Sequence, residues 1–143
     1  MTGGPAVIVI GGGWAGCSAA LTAVKAGAKA ILLERTDMLL GAGLSGGIMR
    51  NNGRFTATEE AIAMGAGDLF EVTDAESLHT NVGFPGHKHA SLYNIARIEP
   101  AVRNRLVRSG VTVLTMRRII SVKVDAGTIV SVSTAEGETW QAG

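Results

Sequence analysis

Glycines set between a short β-branched run and an alanine-rich run constrain this chain more than any other feature. Residues 11–16, Gly-Gly-Gly-Trp-Ala-Gly, match the pattern G-x-G-x-x-G. Before them stands AVIVI, an apolar run of the kind buried on both faces of a parallel sheet. After them comes CSAALTAVKAG, with no breaker until Gly27, which predicts a helix closing on a glycine. Residues 28–34 (AKAILLE) predict a second strand. Ala20 lies four residues after Gly16, Gly27 seven further on, and Glu34 ends the second strand. The whole is a βαβ unit of about 30 residues.

Each position has a physical reason. Gly11 permits the tight turn between strand and helix. Gly13 has no side chain to keep a diphosphate from the helix N-terminus. Gly16 and Ala20 let helix and strands approach closely. Unpaired N–H groups and the positive end of the helix dipole would then hold the diphosphate. Glu34 would accept hydrogen bonds from an adenosine ribose and repel a 2′-phosphate, which disfavours NADP. The pattern specifies an adenine dinucleotide and leaves FAD and NAD both open.

Composition agrees with this α/β reading. A chain of 143 residues suits one domain. Its net charge of +1 removes the usual electrostatic case for nucleic acid or an anionic membrane. Twenty residues are glycine, about twice the usual share, with only three prolines and no collagen-like period. Two Trp, one Tyr and three Phe leave aliphatic side chains to build the core, which suits helix-on-sheet packing. No apolar run reaches the roughly 20 residues of a membrane helix, and the start lacks the basic region of a signal peptide. Cys17, alone, allows no internal disulfide and no multi-cysteine metal site. A reducing, cytoplasmic setting is expected.

Further along, residues 36–54 carry five glycines and are expected to form a long shaped loop. Thr56 and Glu59 stand at capping-box spacing before a helix expected to reach about Phe70. Asp74 is expected to cap a short helix through His79, and residues 81–89 to form a loop. Ser91 is expected to cap a helix that Pro100 interrupts or restarts, with Arg103, Arg105 and Arg108 toward water and Gly110 at its end. A strand is expected at 111–116. Then come strands at 118–125, 128–134 and 139–142, joined by turns at Asp125-Ala-Gly127 and Glu136-Gly-Glu138. These three form a small antiparallel β-meander.

The stretch VIVIGGGWAGCSAALTAVKAGAKAILLER resembles the N-terminal dinucleotide motif of FAD-dependent oxidoreductases with the glutathione-reductase-like fold. Residues 40–47 (LGAGLSGG), 98–115 (IEPAVRNRLVRSGVTVLT) and the meander also resemble that family. Residues 51–97 do so poorly. The resemblance implies a Rossmann-like βαβ fold with a parallel sheet, and FAD as cofactor. Gly11, Gly13 and Gly16 would contact its diphosphate, with Trp14 and Ala15 supplying N–H groups. Glu34 would hold the ribose, with Arg35 beside it. Ser45, Gly46 and Gly47 would approach the diphosphate and flavin, and Ile119 aligns with a residue whose backbone meets the adenine. Family members go on to a closing strand and a substrate region. The resemblance therefore implies that residues 1–143 are the N-terminal portion of a larger flavoenzyme. The first strand would be left with an open edge, inviting self-association or a partner chain.

The remaining chemistry-bearing residues read as structural. Cys17 is expected to pack helix against sheet rather than react. His79, His87 and His89 lack the further ligands a metal would need and are expected in a solvated loop. Arg50 and Arg54 suit either an anionic substrate group or a polar turn. No residue stands out as a catalytic acid or base. Two other readings stay open: a non-catalytic dinucleotide-binding module or subunit of a split enzyme, and a NAD-using protein similar to thiazole synthases. The last would need a donor cysteine in a loop, and Cys17 is not in one.

Overall fold

A computed structural model describes residues 6–44, 50–51, 60, 62–85 and 87–142. The βαβ unit is present: β1 (Ala6–Ile10), α1 (Trp14–Lys25) and β2 (Lys29–Leu33). Helix α1 stops at Ala26, and Gly27 sits just beyond it in the left-handed region at φ +87°, where a side chain would be strained. Strand β6 (Thr112–Leu114) completes a parallel sheet in the order β1-β2-β6. Val7 pairs with Ala30, Val9 with Leu32, and Leu32 with Val113.

The predicted helix in the middle of the chain starts outside the described residues. Within them, an irregular turn, Ile62–Ala66, is kinked at Gly65 (φ +106°) and leads into α2 (Gly67–Ala75). Asp74 does not cap a new helix; it lies in the last turn of α2. Residues 77–84 and 87–93, expected as a short helix and a loop, are strands β4 (Ser77–Phe84) and β5 (His87–Tyr93). With β3 (Arg50–Asn51) they form an antiparallel sheet in the order β3-β5-β4. Ser91 therefore sits in a strand. The N-cap of α3 (Ile95–Arg108) is Asn94, whose side chain accepts from the Ala96 N–H at 3.0 Å. The helix runs on through Pro100 and ends before Gly110. A proline interrupts one backbone bond, and three buried side chains, Ile98, Val102 and Leu106, hold the helix against the core despite it.

The meander is as expected: β7 (Ile119–Asp125), β8 (Thr128–Thr134) and β9 (Thr139–Gln141), antiparallel in that order.

Helices α1, α2 and α3 gather on one side of the parallel sheet. Cys17, Ala20 and Leu21 of α1 meet Ala30 and Leu32 of β2, Leu69 and Val72 of α2, and Ile98, Val102 and Leu106 of α3. The expectation that β1 is buried on both faces fails. Val7 is 42% and Ile10 54% exposed, because β1 is an edge strand with β2 as its only partner among the described residues. Among the described residues, no helix is long and apolar enough to cross a membrane.

Candidate functional site

The glycine turn folds as its sequence requires. Gly11 takes φ +98° while its N–H bonds the Leu33 carbonyl at 2.8 Å, tying the end of β1 to the end of β2. A Cβ on Gly16 would lie 1.9 Å from the Gly11 carbonyl oxygen, so only glycine allows the helix to start this close to the strand. Gly13 differs: a Cβ there would meet nothing within 4 Å and would point into open space. As N-cap of α1, Gly13 offers no capping side chain, and the first turn holds no acidic residue. No side chain among the described residues therefore caps the leading N–H groups of α1, those of Trp14 and Ala15 included.

At the carboxyl ends of β1 and β2 lies an open cleft of about 480 Å³. Ile10, Gly11, Leu33, Glu34 and Arg35 line one side, and Arg117, Arg118 and Ile119 the other. Gly11, Glu34, Arg35 and Ile119, all predicted site residues, thus share one cleft. Glu34 is only 7% exposed. Its Oε2 accepts from the Gly12 N–H at 2.7 Å, and its Oε1 accepts from the Thr36 N–H and hydroxyl at 2.8 and 2.9 Å. Burial alone would raise its carboxyl pKa. The Thr36 and Gly12 N–H groups, the Thr36 hydroxyl and the Arg35 charge outweigh burial and hold it below the ordinary carboxylate value. A carboxylate offers about four acceptor positions, and these three bonds leave one on Oε2. The main chain of Glu34 is fixed as well, through the Leu114 carbonyl and the Arg117 N–H.

The loop after β2 is held more firmly than its glycines suggest. The Leu40 N–H bonds the Gly12 carbonyl at 2.7 Å, with Leu40 at φ +72° and its side chain buried. Arg103, expected to face water, pairs with Glu99 and donates to the Asp37 carbonyl at 3.1 Å; Glu99 also accepts from the Leu39 N–H at 3.3 Å. The Tyr93 hydroxyl donates to the Gly43 carbonyl at 2.5 Å. The Trp14 ring meets the Tyr93 ring edge-on, centroids 5.7 Å apart, and its indole N–H donates to the Tyr93 oxygen. Ser45, Gly46, Gly47 and Arg54 lie outside the described residues, and Arg50 sits in β3.

Sequence reasoning missed Leu40, Tyr93, Arg103 and Arg117. An isolated Tyr and a helix-face Arg carry no motif; only the fold brings them to the loop.

Other residues stay structural. Cys17 is buried, its thiol 3.3 Å from the Gly12 carbonyl, and burial pushes its pKa up to about 12, so it is no nucleophile at neutral pH. His79 lies in β4, not in a loop, with its Nδ1 buried and unpartnered among the described residues. No cluster able to hold a metal ion occurs among the described residues.

The arrangement has counterparts among solved structures. It is similar to the Diels-Alderase PyrE3 of pyrroindomycin biosynthesis (TM-score 0.66, 24% identity), covering 96% of this chain and 31% of that one. It is similar to an FAD-dependent pyridine nucleotide-disulphide oxidoreductase from Desulfovibrio vulgaris (TM-score 0.53, 13% identity), covering 96% and 22%. Thermovibrio ammonificans THI4 is also similar (TM-score 0.55, 17% identity), covering 90% and 46%. At these identities the likeness is one of fold, and the chain spans less than half the length of each. No curated protein matches it. The family described as glucose inhibited division protein A matches residues 6–143, nearly the whole sequence. By that match, and with the glycine turn and the cleft at the strand ends in place, the chain belongs to the glucose inhibited division protein A family and is a Rossmann-like FAD-binding domain.

Proposed function

We propose that this chain supplies the adenosine and diphosphate half of the FAD site in a larger flavin-dependent oxidoreductase whose substrate is a small molecule of unassigned class. The carrying observation is an uncapped helix N-terminus with open space over Gly13, two residues beyond Gly11, which lines the cleft containing Glu34. The diphosphate lies against the N–H groups of Trp14, Ala15 and Gly16. The ribose reaches the free acceptor position of Glu34 Oε2. The adenine lies between Arg35 and the backbone at Ile119. By the family resemblance alone, Ser45, Gly46 and Gly47 are assigned to the diphosphate and flavin. When bound, FAD supplies the redox chemistry by hydride or electron transfer; this chain binds and orients it.

The likeness to proteins two to five times longer supports placing residues 1–143 as a portion of a larger enzyme. The exposed edge of β1 supports a second chain or segment beside it. A single cysteine, Cys17, free and buried, suits a cytoplasmic setting.

Titration of the purified protein with FAD and with ADP, followed by calorimetry and the flavin absorption bands, tests the reading. Saturable binding of both is expected, with ADP retaining most of the affinity. Binding of neither would overturn it. FAD binding without reduction by any reductant enzyme or substrate in the full-length protein would favour the non-catalytic module.

A further inference from the structure

We infer that Tyr93 is a positioning residue for the diphosphate end of the dinucleotide site, acting through Trp14 and Gly43; this rests on the FAD-binding reading above. Tyr93 closes β5, in the antiparallel sheet β3-β5-β4 and not in the parallel sheet that carries the glycine turn, and is 2% exposed. Its hydroxyl sits between two groups of the site. It donates to the carbonyl of Gly43, in the turn Gly41–Gly43 packed against Gly13. It accepts from the indole of Trp14, the first residue of α1 and a supplier of the N–H groups that face the diphosphate.

Gly43 is glycine for the same reason. A Cβ there would lie 2.3 Å from the Trp14 indole nitrogen and 2.9 Å from the Tyr93 oxygen. The three residues form a closed clasp with no room for another carbon. The clasp fixes the distance between the turn and the helix N-terminus. Residues 41–44 do not line the Glu34 cleft, so the clasp bears on the diphosphate and not on the adenosine.

Tyr93→Phe tests this. Phenylalanine keeps the ring against Trp14 and removes only the hydroxyl, leaving a buried carbonyl and a buried N–H unpaired. The expected result is a folded protein by circular dichroism whose affinity for ADP and FAD falls about tenfold, in proportion to one such loss. Adenosine binding, followed by saturation-transfer NMR, is expected to stay within about twofold of the parent on the same grounds. A merely structural role for Tyr93 would weaken ADP and adenosine together, and that outcome overturns the inference. So does undiminished ADP affinity. Should Tyr93→Phe fail to fold, Gly43→Ala opens the clasp from the loop side and is expected to show the same selective loss for ADP. Equal losses, or none, in that variant also overturn it. If the unaltered protein binds neither ADP nor FAD, the FAD-binding reading itself fails, which is a different result from a variant that binds as tightly as its parent.

Discussion

Strands β2 and β7 differ as much as two strands of one chain can. In β2, Ala30, Leu32 and Leu33 are buried and Leu32 is wholly inaccessible. In β7, six of seven residues are exposed, with Ile120 at 65% and Val124 at 57%. The first strand is held by side-chain burial, where a leucine contributes about 2 kcal/mol. The second is held by its ladder to β8 and by anchors at its base, such as the Arg117–Glu138 ion pair. Positional precision is therefore concentrated where the strand ends meet the glycine turn. Arg117, Arg118 and Ile119, at the start of the meander, contribute to the wall of the cleft.

If that contrast is right, the largest effect belongs to Gly16→Ala. Its Cβ would overlap the Gly11 carbonyl, and a loss of about 3 kcal/mol in urea unfolding is expected. Gly13→Val, three residues earlier, should unfold near the parent because its side chain meets open space, yet lose ADP and FAD binding by roughly 100-fold or more, since the valine occupies the phosphate position. Unchanged calorimetric affinity would place the diphosphate elsewhere.

A smaller effect is expected for Glu34→Ala, about 5- to 30-fold in affinity, from losing charge-assisted hydrogen bonds. Glu34 also sets a pH dependence. Its folded pKa lies below the unfolded value, so its ionised form stabilises the fold above the ordinary carboxylate range. That contribution is lost as pH falls through the folded pKa. The stability gap between parent and Glu34→Gln should therefore be full at neutral pH and close on acidification; a gap independent of pH would mean that the charge contributes nothing. The smallest effect belongs to the meander: Ile120→Ser should change stability by less than about 0.5 kcal/mol in the same urea assay. A larger loss would show that the exposed face of β7 is covered in solution.

The βαβ unit and the meander were legible because local pattern and fold agree there: an apolar run, a glycine turn at fixed spacing, then turns at Gly127 and Gly137, both with positive φ. Residues 77–93 were not. Strands β4 and β5 pair with three register shifts, so bulges break the alternation that marks a strand, and SLHTNVGF is half polar. Ser91 looked like a cap because nothing in the sequence tells a capping serine from one buried in a strand. In the site, glycine spacing revealed Gly11, Gly13 and Gly16 because backbone geometry is local. Arg103 and Tyr93 reach the loop from more than 40 residues away, and spacing carries no trace of such contacts.

The sheet order β1-β2-β6 also sets a timetable for the growing chain. Strand β2 finds β1 about 23 residues behind it, but its other neighbour is about 80 residues ahead. At ribosomal speeds of roughly 5–20 residues per second, the free edge of β2 waits about 4–16 seconds for β6. Early in that interval, before α2 and α3 emerge, Leu32 has only α1 and β1 to cover it. The fast local closure of the glycine turn is thus also what shelters the buried strand β2 while the rest of the chain is being made.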